Sequence, residues 1–103
     1  MHTLDLQQMR ANAGDAARLL KALANEHRLF VLCHLLEGER SVGQVNADLE
    51  LSQSALSQHL AVLREDGLVA TRRESQTIYY RVASDAVTKV LAALHGIYCA
   101  PGK

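Results

Sequence analysis

A chain of 103 residues has the length for one domain with a modest core, and its apolar fraction of 49% is globular, which excludes a disordered tail. Eleven Lys and Arg balance eleven Asp and Glu, which argues against a strongly electrostatic nucleic-acid binder, although a neutral chain can still segregate its charge. No apolar run approaches the roughly 18 residues that cross a bilayer, and Met1-His2-Thr3-Leu4-Asp5 lacks the basic start and apolar stretch of a secretory signal. The expected location is therefore the cytoplasm, with no membrane partner.

From Leu6 to Leu23 the residues Leu6, Met9, Ala13, Ala16, Ala17, Leu20 and Leu23 recur at spacings of three and four, which predicts an amphipathic helix. Asn25 offers an N-cap, with Glu26 in the first turn, for a second helix from about Glu26 to Glu37. Leu29, Phe30, Leu32, Cys33, Leu35 and Leu36 make that helix apolar over a wide arc, so it is expected at the centre of the core, with Gly38 as its stop. Ser41-Val42-Gly43-Gln44 has the spacing of a capping box and opens a short helix ending near Leu49. Ser52 caps a fourth helix that runs to about Asp66 and stops at Gly67.

The period then changes. Leu68 to Glu74 and Thr77 to Val82 read as two strands joined by a tip near Glu74-Ser75-Gln76. A last helix starts at Ser84 or Asp85, carries Val87, Val90, Leu91, Leu94, Ile97 and Tyr98, and ends at Cys99. Two short helices followed at once by a basic hairpin form the winged helix-turn-helix arrangement. The fold class is mainly α with a small β-hairpin wing (α+β), in a single domain over 1–103, with the helix-turn-helix at 41–66 and the wing at 68–82.

On the fourth helix Leu56, Leu60 and Leu63 form an inward stripe at i, i+4 and i+7. The opposite face carries Ser54, Ser57, Gln58 and Ala61, flanked by Gln53 and Arg64. Gln53 and Gln58 can bond adenine in bidentate fashion, Ser54 and Ser57 can bond base edges or phosphates, and Ala61 permits close approach. Taken singly such residues describe a solvated helix face; their place on the second of two short helices, directly before a wing, predicts reading of double-stranded DNA. His59 lies toward the core edge, as a structural or phosphate-directed residue and not a base reader. Arg72 and Arg73 point to opposite faces of the hairpin, so only one of them is expected to reach a phosphate.

Cys33 and Cys99 lie 66 positions apart, too far for a local CxxC motif or half a zinc finger. On the residues alone, two buried thiols acting as small hydrophobes and a reactive pair both remain open. No Gly-rich phosphate loop, Ser/His/Asp arrangement or pair of catalytic carboxylates occurs, so neither an enzyme nor a cofactor is expected.

The chain resembles the ArsR/SmtB family of bacterial repressors. The resemblance runs through Ala22-Leu23-Ala24-Asn25-Glu26-His27-Arg28-Leu29, Leu51-Ser52-Gln53-Ser54-Ala55-Leu56-Ser57-Gln58-His59-Leu60, Leu63-Arg64-Glu65-Asp66-Gly67-Leu68-Val69, Arg72-Arg73-Glu74 and Tyr79-Tyr80-Arg81. It implies a homodimer held by the first and last helices (1–24 and 84–100) with its recognition helices on an inverted-repeat operator. The apolar stripes of both terminal helices exceed what one small core needs, in independent agreement. Two metal sites of the family are missing: Ser41 and Gly43 stand where a Cys-x-Cys would fall, and the last-helix pattern finds Asp85 but then Val87, Tyr98 and Pro101. The placement of Cys33 and Cys99, in Val31-Leu32-Cys33 and Ile97-Tyr98-Cys99, is similar to the sulfide- and persulfide-responsive subgroup. That likeness implies a disulfide or polysulfide bridge between Cys33 and Cys99, formed by reactive sulfur species or an oxidant, that releases the DNA. The competing expectations are a metal sensor using Cys33, His34, His95 and Cys99, a redox-insensitive regulator or anti-repressor, and, least favoured, a thiol enzyme.

Overall fold

Every helix begins where a short polar side chain takes up a free backbone amide. In the computed structural model, which describes residues 4–99, these are α1 (Leu6–Leu23), α2 (Glu26–Glu37), α3 (Val42–Leu49), α4 (Gln53–Glu65) and α5 (Asp85–Tyr98). Their N-caps are Asp5, Asn25, Ser41, Ser52 and Ser84, each accepting from the amide three residues on. Ser41 and Gln44 close the expected capping box, with the Ser41 amide donating to Gln44 Oε1 at 2.8 Å. Gly67, at φ 75°, turns the chain out of α4 in a left-handed conformation that favours glycine. Met1 to Thr3, Ala100 and Pro101, which the expected terminal segments and the last-helix comparison include, lie outside the described residues. No described helix is long and apolar enough to cross a membrane.

The core gathers on α4. Leu56, Leu60 and Leu63 are fully buried against Val31, Leu32 and Leu35 of α2, Val45 of α3, and Val87 and Leu91 of α5. The expectation that α2 is central holds for one side only. Phe30 and Leu36 are 46% and 40% exposed, and Cys33 is exposed as well. Likewise the stripe of α1 is largely open, with Leu6, Met9 and Leu20 exposed and only Ala22 and Leu23 buried. A core this small has no further surface to lay against them.

The sheet has three strands, not two. Between α2 and α3 the chain forms β1 (Arg40–Ser41), which pairs antiparallel with β3 (Thr77–Val82), itself paired with β2 (Val69–Glu74), in the order β1-β3-β2. Two residues are too few to show an alternating pattern, so β1 has no sequence signal. β2 opens at Val69, one residue later than expected. Ser75 and Gln76 make the hairpin turn, and Ser75 takes a φ of 57° that suits so tight a connection. Thr71 opposite Tyr80 and Val69 opposite Val82 share the face that packs on the core. Arg72 opposite Tyr79 and Ala70 opposite Arg81 therefore share the other face.

Two side chains fix the angles between helices. Arg28 Nε donates to the Ala22 carbonyl at 2.6 Å, capping the end of α1 from within α2. Asn46 brackets Leu51 in the turn between α3 and α4, donating to its carbonyl at 2.7 Å and accepting from its amide at 2.9 Å. Glu50 beside it adopts a left-handed φ of 57°, a conformation unfavourable for a residue with a Cβ. Replacing Asn46 with Ala strands two partly buried backbone groups and is expected to cost about 1–3 kcal/mol. Urea unfolding followed by circular dichroism measures this, and an unchanged midpoint would show that the bracket is dispensable.

Candidate nucleic-acid interface and thiol groove

Because Leu56, Leu60 and Leu63 point inward, Gln53, Ser54, Ser57, Gln58, Ala61 and Arg64 stand exposed along α4. All the proposed base readers thus occupy one accessible surface. Ser54 Oγ lies 3.4 Å from the Oγ of the N-cap Ser52, close to the first turn. Ser57, Ala61 and Arg64 border a shallow depression that Tyr80 of the wing closes. Recognition helix and wing therefore meet without a break.

His59 is set apart from this surface. It is half-buried, with its ring centroid 5.7 Å from that of His27 at the start of α2. Burial, then the charge of Arg28, then His27 hold its pKa below the usual imidazole value. Its contact with His27 at the core edge fits the structural role.

The two wing arginines differ sharply. The Arg72 Nε donates to Glu39 Oε1 at 2.8 Å, and its Nη1 meets Glu74 Oε1 at 3.1 Å. Its guanidinium also lies 4.6 Å over the Tyr79 ring. Hydrogen bonds to both carboxylates push its pKa further up. Arg73 is exposed on the opposite face and forms no ion pair among the described residues. Glu39 was not foreseen in this site, because it lies 33 positions from Arg72 and meets it only through the unsignalled strand β1.

A groove between α2 and α5 is lined by Cys33, Leu36 and Glu37 on one side and Thr88, Leu91, Ala92 and His95 on the other. Cys99 caps the end of α5, its amide donating to the His95 carbonyl at 2.7 Å. Both cysteines are free and exposed, which sets aside the alternative of two thiols buried within one chain. Burial against the groove pushes the Cys33 pKa up, and the charges of Cys99 and Glu37 add to the rise. His34 turns elsewhere: its Nε2 sits 3.4 Å from Asp48 Oδ2 on α3. The four side chains of the metal-sensor alternative do not converge, and among the described residues no three His, Cys, Asp or Glu gather into a metal site.

Residues 25–71 match the family described as bacterial regulatory protein, arsR family. The transcriptional activator HlyU of Vibrio cholerae is 55% identical over 96 residues, which span 93% of this chain and 89% of that protein. This chain belongs to the arsR family. It is a DNA-binding transcriptional regulator with a winged helix-turn-helix fold. The transcriptional repressor BigR from Xylella fastidiosa superposes with a TM-score of 0.88 at 40% identity, covering 93% of this chain and 98% of that one. The homodimeric winged helix-turn-helix DNA-binding domain of Mb0332 from Mycobacterium bovis gives a TM-score of 0.77 at 31% identity, covering 100% of this chain and 94% of that one.

For this arsR-family chain the raised pKa of Cys33 has a kinetic consequence. Thiolate is the reacting form, so alkylation of Cys33 by iodoacetamide should reach half its plateau rate at higher pH than a cysteine in a short control peptide. Glu37→Gln should move that profile toward lower pH. Peptide mapping by mass spectrometry reads both, and a Cys33 profile at or below the control would contradict the assignment.

Proposed function

We propose that this chain acts in the cytoplasm as a homodimer that holds an inverted-repeat operator and releases it when a reactive sulfur species or oxidant links Cys33 to Cys99. The observation that carries the switch is the groove in which Cys33 of α2 faces α5 as far as His95, one turn before the C-cap Cys99.

The dimer half of this reading rests on uncovered apolar surface. Leu6, Met9 and Leu20 on α1 and Ile97 and Tyr98 on α5 are all at least half exposed, large apolar side chains on both terminal helices that a second copy would cover. Segments 1–24 and 84–100 are the proposed dimerisation elements, in line with the homodimer of the Mycobacterium bovis relative. On DNA, α4 would enter the major groove with Gln53, Ser54, Ser57 and Gln58 at base edges, while Arg64 and one wing arginine meet phosphates. His59 supports that helix from beneath.

The switch is ordinary sulfur chemistry. One thiolate attacks a sulfur of an organic polysulfide, forming a mixed polysulfide and expelling a thiolate; the second thiolate then attacks that mixed polysulfide, closing the bridge and expelling the remaining thiolate or persulfide. The two electrons removed from the thiols reduce the oxidant. With peroxide the same pair passes through a sulfenic acid and expels water. A bridge would hold α2 against the end of α5, and both helices pack on α4 through the core. Release fits a repressor, as BigR is named. The activator name of HlyU favours a second reading, in which the bound dimer displaces another regulator.

The test combines intact mass with DNA binding on the same samples, after separate treatment with an organic polysulfide and with hydrogen peroxide. Wild-type protein should gain an intramolecular bridge and lose operator affinity. Cys33→Ser should bind DNA as well as wild type and keep that affinity under either reagent. Release of the Cys33→Ser protein at the wild-type dose would sink the paired-thiol mechanism.

A further inference from the structure

We infer that Arg72 is a wing-positioning residue withheld from DNA by Glu39 and Glu74, and that the wing meets the phosphate backbone through Arg73 instead. This rests on the DNA-reading function proposed above and divides the labour between two adjacent arginines.

The first ground is occupancy. Arg72 Nε and Nη2 both reach Glu39 Oε1 at 2.8 Å, and Nη1 reaches Glu74 Oε1 at 3.1 Å. One guanidinium set between two carboxylates leaves the cluster net negative. A phosphate approaching it meets repulsion unless both bonds break, and charge-assisted bonds of this length are the stronger kind.

The second ground is direction. Arg72 is paired with Tyr79 across the strands and lies over that ring, on the face turned away from the core. Arg73 is on the other face, shared with Thr71 and Tyr80, and Tyr80 borders the same depression as Ser57, Ala61 and Arg64 of α4. A duplex seated on α4 therefore lies on the Arg73 side of the hairpin.

The third ground is what the cluster connects. Arg72 stands on β2, Tyr79 on β3, and Glu39 immediately before β1, so one side chain crosses the whole sheet. Glu39 also lies just past the end of α2, separated from Glu37 by the C-cap Gly38. The clamp thereby fixes the tilt of the hairpin relative to the helical body, and Arg73 inherits its position from that tilt.

The experiment is the salt dependence of binding to a random-sequence 30-base-pair duplex, followed by fluorescence anisotropy. Each phosphate contact contributes about −0.9 to the slope of log affinity against log salt. Arg73→Gln should flatten the slope by about 0.9 per protomer. Adding Arg72→Gln to that variant should flatten it no further, because the positioned contact is already gone. Glu39→Gln loosens the clamp while Arg72 stays on Glu74, facing away from the duplex, so it should flatten the slope toward that of Arg73→Gln and not steepen it. A second fall in the double variant, or no change in either Arg73→Gln or Glu39→Gln, would overturn the assignment. Failure of the DNA-reading function looks different: the wild-type protein itself would then bind the duplex with no salt dependence, and the division of labour would fall with it.

Discussion

Three leucines on one helix hold the rest in place. Leu56, Leu60 and Leu63 are fully buried at i, i+4 and i+7, and each contributes about 1.5–3 kcal/mol by leaving water. Their burial settles the rotation of α4 about its axis, and rotation decides which residues face outward. Shift the stripe one position along the chain and Ser57, Ala61 and Arg64 turn toward the core. The other constraints serve this one: Ser52 fixes where α4 begins, and Asn46 brackets the turn that aims it.

Helix boundaries and the outward face of α4 were legible because both are local. Caps such as Asn25, Ser41 and Ser52 announce themselves within three residues, and a stripe at helical period needs no knowledge of its partner. What escaped the sequence was everything set by distant contacts. β1 is two residues long, and its identity comes only from pairing with Tyr79 and Tyr80. The same absence hid the meeting of Glu39 and Arg72. The wide apolar arc of α2 predicted a helix at the centre of the core, whereas Phe30, Leu36 and Cys33 stand open. Periodicity records that a face is apolar and is silent about whether its own chain or another covers it.

The open apolar faces and the thiol groove belong together. Cys33 and Leu36 share the groove wall on α2, and the far wall is α5, whose end carries Ile97, Tyr98 and Cys99. The proposed sensor thus abuts the proposed dimer surface, and the DNA-facing side of α4 lies across the core from it. A bridge at the groove reaches α4 through Val31, Leu32 and Leu35, which pack with its leucines. Close-packed interiors transmit small displacements of this kind poorly as gradual bending and well as a change between two arrangements.

The central claim is that α4 enters the major groove on both halves of a dimer. It is tested most directly by footprinting on duplexes enriched from a random-sequence library, with dimethyl sulfate reporting major-groove guanine N7. The account expects protection in two major-groove segments on one side of the duplex, centred about 10 base pairs apart or a multiple of that. A single protected segment, or unprotected N7 positions under a bound protein, would contradict it.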